Sequence, residues 1–551
     1  MSDFSPPSPG SWHLETVHAS RPRSRAWAAI GCDESATAGF RESMRRYGLL
    51  LDTVEFAEIN RFWYTRLRAV GAPKRPTAGP PPKMLFTIMT KVHPEIRRRN
   101  HTITQAFANK LWRQDVDRWD NEVKPALIRR NTELQHTDLA ALDNEKLIEH
   151  LTSCFDAMRQ AWRQHHSFNA TCLLPLGDFL AHLQDWTPAS IDSALPLFQG
   201  ASPASLGAVA ELQAVHDALA ADPDAAALME GGTAEDVLAT LRAHPGPLGD
   251  AVREYLDVAG IRLATGYDIA DLTLAEMPGV ILGNFLSTRL PSSTRRAPEG
   301  NAGDDPVGLP RVAELEASLR AAVPTEHRAE FDELLTEARL TYRIRDERTY
   351  FNDTWSTGIA RRAVLEAGRR LAADGRLHAA EDAVELTHDE LFAALRGDGA
   401  PVADAAAQHT AFRLSHTTDD APEWVGGPPG GDPPPADWLP RDAARGQRAM
   451  QILINSMFET KPDSADSGMI PGFAASPGKV TAAARLVRTP AEMARLQPGD
   501  ILVTPFTSPA FNGVLPIISG IVTDRGGSLS HAAIVAREFG IPAVVGCGDA
   551  T

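Results

Sequence analysis

The sequence predicts a mostly α-helical domain followed by a small α/β domain. Three observations lead to that reading. Apolar residues recur three and four positions apart through most of the chain up to residue 455, the spacing of a half-buried helix. Residues 456–471 then turn polar around Pro462, as a linker does. Beyond them, over 472–551, short apolar runs suited to strands alternate with short helical stretches.

Taken in order, residues 1–25 are rich in Pro and Ser and are expected to be loosely ordered. The helical domain is expected over 26–455. Its first segment, 34–71, reads as helical because Met44, Leu49, Leu50, Phe56, Ile59 and Trp63 fall at roughly helical intervals. Five prolines over 73–82 mark a loop. Further helices are expected over 83–93, 104–119 and 144–167. The last carries Leu147, Leu151, Phe155, Met158 and Trp162, which read as core. His165 and His166 stand at its end, where protonated imidazoles would complement the helix dipole. Helical stretches over 203–221 and 234–263 come next, then a polar mobile loop at 292–310. Residues 312–345, interrupted at Pro324, and 352–374 read as long amphipathic helices, and Thr387–Glu390 as the capping box of a short one. The Pro- and Gly-rich stretch 425–440 reads as an extended connector. In the small domain, 479–487 and 500–504 read as strands, and 489–494 as a short helix or turn.

Composition excludes several classes. A chain of 551 residues has room for more than one core. With 55 Lys and Arg against 71 Asp and Glu, its net charge of −16 argues against nucleic acid or an anionic membrane as main partner. No apolar run is long enough to span a bilayer, and residues 1–10 lack the basic and apolar regions of a signal peptide. Cys32, Cys154, Cys172 and Cys547 are scattered without metal-ligand spacing and read as reduced thiols. A cytoplasmic protein without a metal site of its own is expected.

The chemistry concentrates near the end of the chain. Gly520-Ile-Val-Thr523 reads as a buried strand, Gly526-Gly527 as a turn, His531 as the start of a helix, and Ala543-Val-Val545 as a second strand. The two glycines permit positive φ or close approach to a ligand. Ser528 and Ser530 are both helix-capping types, so the backbone N–H groups of a helix start should face outward beside His531. Such a terminus attracts phosphate through its donors and its dipole. An imidazole placed there can act as a nucleophile and hold a phosphoryl group. Arg525, beside the turn, and Arg537, six residues past His531, are the cations near enough in sequence to contact that phosphate. For a lone histidine the simpler reading would be a cap; Cys547 reads as an inert small residue.

The surrounding residues make the reading sharper. Gly-Gly at 526–527, Ser-His-Ala-Ala at 530–533, Ala-Arg-Glu-Phe-Gly at 536–540 and Ile-Pro-Ala-Val-Val-Gly at 541–546 resemble, in order and spacing, the swivelling phosphohistidine domain of the phosphoenolpyruvate-utilising enzymes. Within them the chain looks most like the rifampicin phosphotransferase and phosphoenolpyruvate synthase-like members. Gly472–Gly478, Gly499–Pro505 and Thr507–Pro509 extend the resemblance to the start of the small domain. Tyr255–Asp268, Tyr342–Arg348, Arg362–Leu371 and 377–391 extend it upstream, so that roughly 100–551 align in order.

The resemblance implies that His531 is the phosphorylated residue and that Gly526, Gly527, Ser528, Ser530, Arg525 and Arg537 surround the phosphate. It implies an acceptor site in the helical domain, with Arg262, Asp268, Arg345 and Arg348 as candidate contacts and Tyr267, Asp346 and Glu347 as weaker ones. These relatives usually carry an ATP-grasp domain, and nothing in the chain has its length, its mixed α/β character or a G-x-x-x-x-G-K-[ST] loop. A separate ATP-grasp protein holding ATP and Mg is therefore expected as donor. The final Gly546–Thr551 also stops short of the strand residues that usually follow, so either the natural small domain is shortened or the sequence is a truncated form of it. The implied activity is phosphoryl transfer to a hydroxyl of a small organic acceptor. A dehydratase that phosphorylates and then eliminates, and a non-catalytic scaffold retaining the fold, are the alternatives.

Overall fold

In the computed structural model the first long helix, α1 (Cys32–Tyr47), stops at Gly48, whose φ of 70° closes the last turn in the left-handed region. The structure describes residues 4–16, 18–71, 82–202, 204, 208–229, 231–286, 312–427, 434–458, 469–488, 490–493, 495–507, 511 and 514–551. The chain divides into two compact units. The first comprises Met1–Ala181, Tyr267–Ala270 and Leu334–Ile452, and the second His182–Gly266, Asp271–Glu333 and Leu453–Thr551.

In the first unit the segment read as one helix over 34–71 is helix only to Tyr47. It then becomes a hairpin of strands, β2 (Leu51–Ile59) and β3 (Phe62–Ala69). The two-residue turn explains the hairpin, because Asn60 and Arg61 both take positive φ, 52° and 69°, the geometry that matches strand twist. A short strand β1 (Trp12–Leu14) lies inside the stretch expected to be loosely ordered, and it pairs with β3 and with β4 (Trp424–Val425). The sheet order is β2-β3-β1-β4. What orders the terminus is burial: Trp12, Leu14, Ile59, Phe62, Tyr64 and Val425 form one apolar cluster.

The helices of this unit include α2 (Asn144–Ser167), started by the Asp143 side chain, and α3 (Thr354–Ala373). Leu147, Leu151, Phe155, Met158 and Trp162 are all buried, as the spacing predicts. A π-helical turn, Thr349–Asp353, leads into α3, and Thr387 with Glu390 does form a capping box.

The second unit holds helices Val209–Ala221, Ala234–Ala243, Pro247–Tyr255 and Pro278–Leu286, so that 234–263 is broken at Gly246-Pro247. It also holds the small domain's sheet: β5 (Phe473–Ser476), β6 (Ala484–Leu486), β7 (Ile501–Thr504), β8 (Gly520–Thr523) and β9 (Ala543–Val545). Strands β6, β7, β8 and β9 run parallel and β5 antiparallel to β9, in the order β5-β9-β8-β7-β6. Helix α4 (His531–Phe539) connects β8 to β9. Sheet and helices share one apolar core, in which Leu212, Val252 and Ile281 join Leu502, Ile517, Ile521 and Val535. The mobile loop expected at 292–310 lies outside the described residues, as do 428–433 of the connector and 459–468 of the linker. Among the described residues no helix is long and apolar enough to cross a membrane, no cluster of metal-ligating side chains occurs, and all four cysteines are unpaired and buried.

Candidate active site at the start of α4

The site forms at the carboxyl ends of two neighbouring parallel strands, where open α/β sheets gather ligands. Strand β8 is buried on nearly every residue and delivers the chain into a turn over 524–530. Backbone bonds continue the β7–β8 edge into that turn: Asp524 N–H donates to Thr504 O at 3.3 Å, and Arg525 N–H to Pro505 O at 3.0 Å. Gly526 then adopts a φ of 106°, and a Cβ there would stand 2.7 Å from Ser530 Cβ, so only glycine fits. Gly527 is not among the glycines of positive φ; its carbonyl accepts from Ser530 N–H at 2.9 Å.

Ser530 caps α4, its hydroxyl accepting from Ala533 N–H at 3.4 Å. His531 is thus the first residue of the helix, where the helix's own bonding ladder cannot reach the N–H groups and the dipole is positive. The imidazole is partly exposed, and its Nδ1 lies 3.2 Å from Thr507 Oγ1, just beyond the end of β7. With Thr507 accepting from Nδ1–H, the lone pair stands on Nε2. Thr507 was not singled out as a site residue by the sequence reading.

The remaining small-domain candidates have defined places. Ser528 is buried. Its carbonyl accepts from Arg537 Nη2 at 3.0 Å, while Arg537 Nη1 donates to Ala475 O at 2.9 Å. The guanidinium thereby ties the turn and β5 to α4. Arg525 is half-buried beside the turn. Asp524 closes the other side, accepting from Ala550 N–H at 2.6 Å, Thr551 N–H at 3.1 Å and the Thr551 hydroxyl. Burial pushes the Cys547 thiol up to about 11, which fits an inert residue.

The acceptor candidates divide between the units. Arg262 is buried in the second, and its carbonyl accepts from Leu274 N–H at 3.0 Å. Tyr267, Asp268, Asp346, Glu347, Arg345 and Arg348 belong to the first. Asp268 accepts from Ser24 N–H at 3.2 Å, from the Ser24 hydroxyl and from Ala270 N–H at 2.9 Å. Glu347 accepts from Trp119 Nε1 at 2.7 Å, and its carboxylate also faces Lys124 and Arg343. Arg348 Nη1 donates to His165 O at 2.8 Å and to Asn169 Oδ1. His165 and His166 correct the sequence reading. His166 is buried and His165 partly so at the end of α2, and desolvation first, then the Arg348 charge, pushes both imidazoles well below their ordinary range. They are neutral and do not serve as protonated partners of the helix dipole.

Residues 496–551 match the mobile domain of PEP-utilising enzymes. A rifampicin phosphotransferase of Streptomyces sviceus is 26% identical over 453 residues, covering 78% of this chain and 48% of that protein. A prodigiosin-synthesising transferase of Serratia marcescens is 35% identical over 207 residues, 37% of this chain and 20% of that one. The phosphoenolpyruvate synthase of Escherichia coli is 55% identical over 67 residues, 12% of this chain and 8% of that one. The chain spans less than half the length of these relatives. His531 and its turn lie inside residues 496–551, the segment similar to the mobile domain of PEP-utilising enzymes.

Proposed function

We propose that the protein is a phosphotransferase in which His531 accepts a phosphoryl group and passes it to a hydroxyl of a small organic acceptor. The observation that carries this reading is the placement of His531 on the first residue of α4 with Nδ1 3.2 Å from Thr507 Oγ1. That contact leaves Nε2 to attack phosphorus, and the helix start supplies donors to the phosphoryl oxygens. Phosphoryl transfer demands little beyond in-line placement and charge stabilisation, which N–H donors and a nearby Arg525 provide. The donor is an ATP-grasp protein that holds ATP and Mg, and the reaction runs in the cytoplasm. The small domain ferries the group between donor and acceptor.

The test is phosphorylation of the purified chain with labelled ATP, alone and with an ATP-grasp protein. An acid-labile adduct of one phosphoryl group should appear only with that partner, and His531→Ala should abolish it. Label on a residue other than His531 would overturn the assignment. Label acquired by the chain alone would overturn the separate donor.

A further inference from the structure

Helix Lys83–Val92 of the first unit is held by one face, while a second, apolar face is left open. The held face carries Phe86 and Thr90, one turn apart and both buried. The Phe86 ring lies 6.1 Å from that of Trp438, and Lys83 Nζ lies 3.4 Å from Oδ2 of Asp437, so the helix is fastened to the turn Ala436–Trp438. On the other side Met84, Leu85, Ile88 and Val92 are 78, 50, 46 and 64% exposed. At about 100° per residue, Met84, Ile88 and Val92 follow one another in a row with Leu85 beside it, and the four form one stripe. The apolar stripe of a surface helix ordinarily faces the core; here it faces outward. Of the eleven large apolar side chains exposed among the described residues, four stand on these ten residues. Such concentration marks an interaction surface, where scattered single side chains would not.

A second, independent observation is the local charge. Over residues 83–98 two Lys and two Arg face one Glu, a net +3 in a chain of −16. Arg98 is taken up by Glu95, to which its Nε and Nη2 donate at 2.9 and 2.7 Å. Lys91, at the border of the stripe, and Arg97, in the first turn of the following helix Pro94–Ala108, are exposed and form no ion pair among the described residues.

Size and charge together select the occupant. A convex stripe of four side chains falls far short of a stable protein interface, which takes about 20–30 residues a side. A bilayer requires no such area and no matching shape: an amphipathic helix lies in its interface with the apolar face sunk about 5–10 Å, and neighbouring cations meet anionic headgroups. The acidic remainder of the chain does not oppose this at contact, because charges more than about 8 Å away are screened at physiological ionic strength. At ten residues the helix is too short to cross. We propose that helix Lys83–Val92 docks the protein on an anionic membrane surface, with Met84, Leu85, Ile88 and Val92 entering the acyl boundary and Lys91 and Arg97 meeting the headgroups. The docking is independent of the chemistry at His531.

The test sediments the full chain with vesicles of phosphatidylcholine alone and of equal parts phosphatidylcholine and phosphatidylglycerol. The anionic vesicles should bind it at least tenfold more tightly than the neutral ones. Ile88→Glu with Val92→Glu should weaken that binding at least tenfold, and Lys91→Glu with Arg97→Glu should remove the preference for phosphatidylglycerol. All four side chains are exposed, so the melting temperature should stay unchanged. The four native cysteines are buried, which lets Leu85→Cys carry a polarity-sensitive dye, and its emission should shift to the blue on anionic vesicles alone. Wild type that fails to sediment, equal binding by the Ile88→Glu, Val92→Glu variant, or an unshifted dye would overturn the docking. Equal binding to both vesicles would overturn the anionic surface. A dimer seen by light scattering without lipid, and lost in the Ile88→Glu, Val92→Glu variant, would overturn the membrane in favour of a second copy of the chain.

Discussion

In the proposed transfer, a Thr507 hydroxyl that accepts from Nδ1–H leaves Nε2 of His531 to meet phosphorus. A valine there keeps the shape but loses the 3.2 Å contact to Nδ1. Thr507→Val should slow loading of His531 by phosphoramidate by up to about tenfold, the kinetic equivalent of one hydrogen bond, without changing the melting temperature. A second residue-scale consequence concerns Glu58, whose carboxyl burial pushes up from 4.5 to about 7, helped by Asp33 and opposed by Arg61 and Arg23. A carboxyl raised in the folded state adds stability below its unfolded value and loses it as pH rises through the folded one. Against Glu58→Gln, the wild type should therefore lose about 1–3 kcal/mol between pH 4.5 and 7, measured by urea unfolding at both values. An unchanged difference would show that Glu58 titrates normally. His531 was legible because its neighbours in sequence carry the turn and the cap. Thr507 was not, because it stands 24 residues away and meets the ring only after β8 is laid beside β7.

At the level of elements, the turn between β8 and α4 is fixed by one backbone angle. Gly526→Ala has to place a Cβ 2.7 Å from Ser530 Cβ at a φ of 106°, and should cost about 1–3 kcal/mol. It should also misplace the cap, so loss of stability and slower loading of His531 should appear together in thermal melts and in the adduct assay. A fully loaded, equally stable variant would show that the turn is not the positioning device. The helix start, its serine cap and the strands around it were readable from local pattern. The hairpin of β2 and β3 was not. Leu49, Phe56, Ile59 and Trp63 satisfy helical spacing and strand burial alike, and the deciding signals were Gly48 as a helix stop and Asn60 as a hairpin turn. Arg537 shows the limit from another side. Six residues past His531 it could be placed on a helix, but its two bonds to the carbonyls of Ala475 and Ser528 depend on where β5 lies.

At the scale of the whole molecule, what stayed hidden is what joins distant parts of the chain. Strand β1 pairs with β4 some four hundred residues later, and His165 meets Asp353 from α2 to the π-helical turn. No spacing rule reaches that far, because such pairings follow from the packing of elements and not from their own periodicity. The small domain was recognisable as a sheet with a histidine helix, yet its apolar face closes on the helices of the second unit in one continuous core. Gly283 marks the fit, since a Cβ on it would lie 3.2 Å from Ile517 Cγ2. Gly283→Leu should wedge that seam, raising protease sensitivity of the small domain while leaving far-UV circular dichroism unchanged. Resistance equal to wild type would mean that the seam already yields.

That continuous core has a kinetic corollary if His531 travels. Each departure wets Ile517 and its neighbours and each return dries them, so the excursion carries a heat-capacity change of its own. Turnover should then give a curved Eyring plot and should slow in sulfate, which favours the docked state, even when chemical loading of the imidazole in isolation stays linear and indifferent to the salt.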